Sequence, residues 1–264
     1  MTGAWRRKAV ALAIIVENLS HWFNGLAVLQ DINLTVQTGE IVAVLGPSGC
    51  GKSTLLQVIG GMVRPCVGSV FLAKQSQADR PVAFVFQDPT LLPWRSFQDN
   101  VGLPLDHLRL GAPDRKRRIA AALGRVGLTD FAEYYPKELS GGMQQRTNLA
   151  RALVVKPAVL LMDEPLSGLD EPTRDLMLDD LVRLWGDSRY TCLYVTHSPL
   201  EAARLGHRVV VLSQRQGRVR GIIPIDLPQD QRRNDHPAIL AALEAIRLLV
   251  RQPAAGNWAS VAHD

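Results

Sequence analysis

Five runs of apolar residues recur along the chain, and stretches with helical periodicity separate them. The runs are "EIVAVLG" (40–46), "PVAFVFQ" (81–87), "AVLLMDEP" (158–165), "TCLYVTH" (191–197) and "HRVVVLS" (207–213). Near-continuous apolar character is typical of strands buried on both faces, because helices cover both sides of a parallel sheet. The pattern therefore predicts an α/β fold with a mostly parallel sheet.

The middle of the chain has a different pattern. Short helical stretches follow one another after residue 87, and prolines interrupt them: Pro93, Pro104, Pro113 and Pro136. We interpret 88–148 as a mostly helical insertion in the α/β core. The segment 236–252 is amphipathic and predicts a terminal helix, after which the last dozen residues should fray. We expect a single domain over 1–264, with its core in 1–87 and 149–235 and a C-terminal helix and tail in 236–264.

The N-terminal stretch "WRRKAVALAIIV" (5–16) carries basic residues before an apolar run, as a signal peptide does. The residues that follow, "ENLSHWFNG", contain no small-residue cleavage site, and the run is shorter than the roughly 20 residues of a membrane span. We interpret it as the first strand. No other stretch approaches that length, so we expect the chain not to cross a membrane.

Composition adds little. With 264 residues, 47% hydrophobic and 21% charged, the sequence is that of an ordinary soluble domain. Its three cysteines, Cys50, Cys66 and Cys192, form neither a disulfide framework nor a zinc pattern. The net charge of +5 is scattered, and its densest cluster, "RKRR" (115–118), opens a predicted helix whose other face is apolar. A solvated helix face explains this cluster, and we expect no nucleic-acid partner.

A phosphate-binding loop lies between a predicted strand and a predicted helix. The segment "GPSGCGKST" matches G-x-x-x-x-G-K-[ST]. Its glycines allow successive N–H groups to face phosphate oxygens, and the helix N-terminus adds positive potential. Lys52 should reach the β- and γ-phosphates, Ser53 should bind Mg²⁺, and a bulky adduct on Cys50 should obstruct the loop. The residues expected to hold the nucleotide are Gly46, Pro47, Ser48, Gly49, Cys50, Gly51, Lys52, Ser53 and Thr54.

Two acidic residues end the strand predicted over "VLLMD". Asp163 emerges at the carboxyl end, where open α/β sheets bind ligands, and is a candidate magnesium ligand. Glu164 is placed to polarise the attacking water as a general base. Two acids after a buried strand could simply form a turn, but the phosphate loop favours the catalytic interpretation.

Two other strand ends should reach the same pocket. Gln87 follows "VAFVF" and is a candidate contact for Mg²⁺ and the attacking water, while His197 follows "CLYVT" and is a candidate contact for the γ-phosphate. A lone Gln or His at a strand end is more often a packing or capping residue. The other motifs favour a catalytic role for both.

The motifs together resemble those of ABC-type ATPases. The phosphate loop, Gln87, "LSGGMQQR" (139–146), "MDEP", "SGLD" (167–170) and His197 occur in that family's order and spacing. The resemblance implies a P-loop NTPase core with an N-terminal antiparallel β part and a helical subdomain that carries the signature. Two positions depart from the family's commoner residues, Gly168 for Ala and Ser198 for Asp.

The resemblance also explains the serine–glycine–glycine turn of "LSGGMQQR", which is a second candidate anion site beside the phosphate loop. It implies a head-to-tail homodimer, in which the signature of one chain acts on the ATP held by the other. A serine hydroxyl, glycine N–H groups and a helix N-terminus form an anion site. The signature residues are then Ser140, Gly141, Gly142 and Gln144. By the same resemblance, Phe23 would stack on adenine and Asp170 would communicate between protomers.

The segment "DPTLLPWRSFQDNVGLPL" (88–105) resembles the nitrate, sulfonate and taurine importer branch. That branch implies an ATPase subunit, peripheral on the cytoplasmic face of the bacterial inner membrane, for aliphatic sulfonates, taurine or nitrate. Its partners would be two membrane-spanning permease subunits and a periplasmic or extracellular solute-binding protein. A thiamine-precursor pyrimidine importer and a soluble regulatory ATPase remain alternatives. Trp94 either contacts the permease or packs the core of the insertion.

Overall fold

The computed structural model describes residues 11–73, 80–188, 190–214 and 216–251. One sheet has six strands: β3 (Ile41–Leu45), β5 (Arg80–Val85), β6 (Pro157–Asp163), β7 (Thr191–Thr196), β8 (Arg208–Leu212) and β9 (Val219–Pro224). Their order is β5-β6-β7-β3-β8-β9, and the pairs from β5 to β8 are parallel while β9 is antiparallel. All five predicted strands lie in this sheet, which confirms the predicted α/β class.

A second sheet has three strands, β1 (Leu12–Phe23), β2 (Leu26–Gln37) and β4 (Val67–Leu72). They are antiparallel and have the order β2-β1-β4. Buried and exposed residues alternate along much of β2, as expected when one face packs on a core and the other meets solvent. The predicted N-terminal strand is confirmed from Leu12 onward, whereas residues 5–10 of that stretch lie outside the described residues.

Seven α-helices cover the sheets within the described part of the chain. They are α1 (Lys52–Ile59), α2 (Phe97–Gly102), α3 (Ala112–Arg125), α4 (Gly141–Leu153), α5 (Glu171–Ser188), α6 (Pro199–Leu205) and α7 (Pro237–Arg251). Short 3₁₀ turns occupy Leu103–His107, Thr129–Phe131, Pro136–Glu138 and Gln229–Gln231. None of the described helices combines the length and apolar composition that a bilayer span requires.

The inserted segment is helical and joins the core through α4. Phe97, Val101, Leu123 and Leu149 lie in one hydrophobic cluster with the β6 residue Leu160. Because α4 runs across residue 148, the same helix belongs to the insertion and to the α/β core.

Two of the predicted helices, α3 and α7, lie on the surface of the molecule. The apolar face of α3 is buried at Ile119 and Leu123, with Val126 just beyond, while Arg117 on its other face is exposed. The terminal helix is present as α7 up to Arg251, and the predicted fraying tail lies outside the described residues.

Candidate functional site

The phosphate loop leaves the buried strand β3 and enters α1. Gly49 and Gly51 have φ angles of +77° and +96°, which residues with a Cβ rarely adopt. A Cβ on Gly51 would also come within 2.9 Å of the Val28 carbonyl oxygen on β2. Glycine at position 51 therefore allows both the curl of the loop and its close approach to the antiparallel sheet.

Lys52 is the first residue of α1, and only 5% of its side chain is exposed. Its Nζ donates hydrogen bonds to the carbonyls of Gly46 at 2.9 Å and Pro47 at 3.1 Å. The same ammonium lies 3.4 Å from Oε1 of Glu164. The fold thus brings the phosphate-loop cation and the proposed general base into direct contact.

Glu164 stands between two side chains that sequence reasoning placed in the site. His197 Nδ1 donates to its Oε2 at 3.0 Å, opposite the contact from Lys52. The Glu164 backbone has φ +43° and donates its N–H to the Val195 carbonyl on β7 at 3.0 Å. The carboxylate is mostly buried while the imidazole is half exposed, so the pair lies at the boundary between the core and solvent.

Asp163 ends β6 and points an unsatisfied oxygen inward. Among the described residues, its buried Oδ1 has no hydrogen-bond partner. Burial raises the pKa of Asp163, and the nearby Ser53 hydroxyl partly offsets that rise. A buried carboxylate oxygen beside a hydroxyl suits a hard divalent cation such as Mg²⁺, which prefers oxygen ligands.

The described residues contain no cluster of three or more His, Cys, Asp or Glu side chains suited to a metal ion. The other ligands of a cation at Asp163 and Ser53 would be oxygens of the nucleotide phosphates and of water. This combination is typical of sites in which Mg²⁺ arrives with a nucleotide.

Gln87 is the second residue after β5, and its side chain is exposed. The loop that carries it is anchored to α4, because Gln145 and Asn148 both donate to the carbonyl of Phe86, at 3.2 and 3.1 Å. The structure thus fixes the backbone beside Gln87 and leaves the Gln87 side chain facing solvent.

The signature turn forms the N-terminus of α4. Ser140 is the N-cap and accepts a hydrogen bond from the N–H of Met143, while Gly141 is exposed and Gly142 is buried against Thr173. Gln144 points back into its own chain, because its Nε2 donates to the carbonyls of Pro136 and Leu139 at 2.9 and 3.2 Å. Ser140 and Gly141 are therefore the residues of this turn that face outward, and Gln144 supports the preceding loop.

Asp170 precedes α5 and is fully exposed. Its Oδ2 accepts a hydrogen bond from the N–H of Thr173 at 3.3 Å, and hydrogen bonding to Thr173 lowers the pKa of this carboxyl. Exposure of Asp170 is compatible with a contact between protomers, which stays a prediction.

Phe23 lies exposed at the end of β1, where the hairpin turns into β2. Its ring packs edge to face against His21, with centroids 4.5 Å apart. The following strand meets the phosphate loop at Val28 and Gly51. Phe23 therefore lies partly exposed on a hairpin whose second strand contacts the phosphate loop.

The Cys50 thiol is poorly placed to form the obstructing adduct considered above. The side chain is turned into the core, and burial raises the pKa of the thiol. A buried and protonated thiol reacts poorly with electrophiles. Cys50 contributes its backbone to the loop, whereas the exposed cysteine is Cys66.

Trp94 resolves one alternative that the sequence left open. Its side chain is 71% exposed, so it does not pack the core of the insertion. A single exposed aromatic residue is common on protein surfaces, so the permease contact stays a prediction.

Sequence reasoning missed a group of buried supporting residues. Glu201 on α6 accepts hydrogen bonds from Tyr194 at 2.9 Å and Thr196 at 2.6 Å, next to His197. Arg174 lies 3.8 Å from Glu201 and donates to the carbonyl of Leu169 at 2.7 Å. This network links the strand end that carries His197 to the loop before α5. The one hint at this network is the burial of Glu201 on its helix, which the sequence alone does not show.

Ser198 has a clear structural role. It is the N-cap of α6, and its Oγ accepts a hydrogen bond from the N–H of Glu201. Serine and aspartate are both good N-caps, so the departure from the family's commoner residue keeps the helix start.

A protein-family model described as ABC transporter matches residues 29–167 of this chain. An uncharacterised ABC transporter ATP-binding protein of Methanocaldococcus jannaschii is 42% identical over 86% of this chain and 88% of its own. An aliphatic sulfonates import ATP-binding protein of Rhodopseudomonas palustris is 43% identical over 88% of this chain and 81% of its own. A solved dimeric ATP-binding cassette in a post-hydrolysis state, bound to ADP and phosphate, superposes with a TM-score of 0.69 at 31% identity, covering 80% of this chain and 98% of that one.

Proposed function

We propose that this chain, which belongs to the ABC transporter family and hydrolyses ATP, energises a bacterial importer of aliphatic sulfonates. The hydrolytic part rests on one observation above all. Lys52, Glu164 and His197, which lie far apart in sequence, meet within hydrogen-bonding or ion-pair distance. This arrangement joins a phosphate-binding cation, a base and a hydrogen-bond donor at the end of one sheet.

Each of the converging residues has a role in the proposed reaction. The backbone N–H groups of the loop 46–54, apart from Pro47, which has none, and the Lys52 ammonium bind the β- and γ-phosphates. Glu164 accepts a proton from the attacking water, while His197 orients the carboxylate and contacts the γ-phosphate. Gln87 helps to orient the water, and Phe23 stacks on adenine.

Mg²⁺ fits the oxygens of Ser53 and Asp163, with Gln87 as an additional contact. When bound, the cation neutralises phosphate charge and orients the phosphate oxygens. The unsatisfied Oδ1 of Asp163 supports this assignment, since a buried carboxylate oxygen without a partner is costly.

The active unit in this proposal is a homodimer. Ser140 and Gly141 lie outward at a helix N-terminus, where they can donate to the γ-phosphate held by a second copy. A two-fold axis then forms two composite sites from one self-complementary surface. The dimeric state of the solved cassette supports this arrangement.

The transport partners are two membrane-spanning permease subunits, with a solute-binding protein outside the membrane. The chain would lie peripherally on the cytoplasmic face of the inner membrane, with the exposed Trp94 toward the permease. The name of the 43% identical Rhodopseudomonas palustris relative favours aliphatic sulfonates over taurine, nitrate or a pyrimidine.

Growth of the native host on single sulfur sources tests the proposed substrate. Deletion of this gene should abolish growth on an aliphatic sulfonate and leave growth on sulfate unchanged. The wild-type gene should restore growth, and a Glu164→Gln copy should not. Unchanged growth of the deletion strain on alkanesulfonates that lack an amino group, with lost growth on taurine or with nitrate as the nitrogen source, would reassign the substrate.

Purification from detergent-solubilised membranes tests the transport assignment itself. A multi-span membrane protein should co-purify with the tagged chain. Recovery of the chain from the soluble fraction alone, with full ATPase activity, would favour the soluble regulatory ATPase instead.

A further inference from the structure

Gln145 lies on α4, shortly after the signature residues, and is buried with 3% of its surface exposed. Its Nε2 donates to two backbone carbonyls, that of Phe86 at 3.2 Å and that of Pro165 at 2.6 Å. Phe86 immediately precedes Gln87, and Pro165 immediately follows Glu164. A single amide nitrogen therefore joins the backbone beside both residues assigned above to the hydrolytic water.

Neighbouring side chains on the same helix reinforce this connection. Asn148 donates to the Gln145 Oε1 at 3.4 Å and to the Phe86 carbonyl at 3.1 Å. Its own Oδ1 accepts a hydrogen bond from Arg151 at 3.0 Å, and Arg151 donates to the Pro89 carbonyl at 2.6 Å. The loop after β5 is thus held by three side chains of α4, spaced three residues apart on one helix face.

We propose that Gln145 is a positioning residue for hydrolysis, which sets the Gln87 loop and the Glu164 loop against each other from the signature helix. The proposal rests on the roles of Gln87 and Glu164 given under Proposed function. Ser140 and Gly141 form the N-terminus of the same helix, α4. When α4 shifts on binding the partner's nucleotide, the contacts of Gln145 with the Phe86 and Pro165 carbonyls move together. Gln145 therefore links the state of the partner's ATP to the geometry around the chain's own water.

The phosphate loop is held in a different way. Lys52 donates to carbonyls of its own loop, at Gly46 and Pro47. We therefore expect loss of the Gln145 amide to disturb hydrolysis much more than nucleotide binding. Misplacing a catalytic group by about 1 Å can lower the rate by roughly 100-fold.

Two substitutions in the full-length chain separate loss of the hydrogen-bond donor from added charge. Gln145→Met removes the amide and keeps the side chain's length without charge, and Gln145→Glu keeps the shape but cannot donate when ionised. Both should lower kcat by roughly 10- to 100-fold. The KM for ATP and the Kd of a fluorescent ATP analogue should change by less than about threefold.

Thr147→Val is the matched control. Thr147 is fully buried on the same helix, but its hydroxyl donates to the Met143 carbonyl of that helix and to neither loop. This variant loses one buried hydrogen bond, and its kcat should stay within about twofold of wild type. Thermal melting of all variants, with kinetics measured well below each midpoint, separates stability from catalysis.

Three outcomes would overturn the positioning role. In the first, kcat falls only in Gln145→Glu, which makes the added charge responsible. In the second, KM and kcat change in parallel in both variants. In the third, both variants fail to fold while Thr147→Val folds. Failure of the underlying assignment is distinguishable, because Glu164→Gln would then hydrolyse ATP normally whatever the Gln145 variants do.

Discussion

At the scale of single residues, the position of Glu164 indicates a carboxylate that the fold holds in place. Its φ of +43° is unusual for a residue with a side chain and costs about 1–3 kcal/mol. The surrounding contacts from Lys52, His197 and the Val195 carbonyl maintain this conformation. Strain retained at a polar site with such contacts supports a functional role for the residue.

Glu164→Gln should abolish most hydrolysis and leave ATP binding nearly intact. The amide keeps the shape of the side chain and can still contact His197, but it cannot accept a proton from water. Loss of a general base lowers kcat by about 10²- to 10⁴-fold. Phosphate release and equilibrium binding of ATP, measured on the same preparation, check this prediction. Turnover within a few-fold of wild type would remove Glu164 from the role of base.

At the scale of elements, Arg232 ties the end of α6 to the segment after β9. Its guanidinium is 3% exposed and donates to five backbone carbonyls, and burial lowers the pKa of this group to about 10. It therefore stays charged at neutral pH. The carbonyls are those of Ala203, Arg204, Gly206, Ile225 and Leu227. A cation at the C-terminal end of a helix also interacts favourably with the helix dipole.

Arg232→Met should destabilise the fold by about 2–4 kcal/mol, because several buried carbonyls lose their donor. Arg233→Met is the control, since that neighbouring side chain is 81% exposed and should change stability by less than about 0.5 kcal/mol. Denaturant unfolding of the two variants measures the difference. Equal stabilities would show that water or other donors satisfy these carbonyls.

The sequence predicted the central strands because each is a near-continuous apolar run of strand length. It did not predict β4 or β9, whose residues are mostly half-buried or exposed and carry no comparable apolar run. The sequence also could not predict the contacts that support the site. The inward turn of Cys50 and the bridge from Gln145 to two distant carbonyls depend on three-dimensional packing, which local patterns do not encode.

At the scale of the whole molecule, the chain holds two anion-binding turns that serve different nucleotides in our account. In the homodimer proposed above, the phosphate loop receives the chain's own ATP, and the outward-facing Ser140 and Gly141 receive the partner's. The structure indicates a substitution that should impair the second turn and leave the fold intact. A Cβ added to Gly141 meets no described atom within 4 Å, whereas one added to Gly142 would lie 2.8 Å from the Thr173 side chain. Gly141→Asp should therefore repel a γ-phosphate without disturbing the fold.

Mixing two damaged chains tests this central claim most directly. One chain carries Lys52→Met and the other Gly141→Asp, both in a Glu164→Gln background that slows ATP hydrolysis and so preserves ATP-bound dimers. Each homodimer has a lesion in both composite sites, whereas the mixed dimer has one intact site and one with both lesions. In analytical ultracentrifugation with Mg-ATP, we expect the mixture to form dimers to a greater extent than either chain alone, with Glu164→Gln as the positive control. Equal dimer fractions in the mixture and in the separate chains, with the control dimeric, would contradict the account and place the signature's action within its own chain.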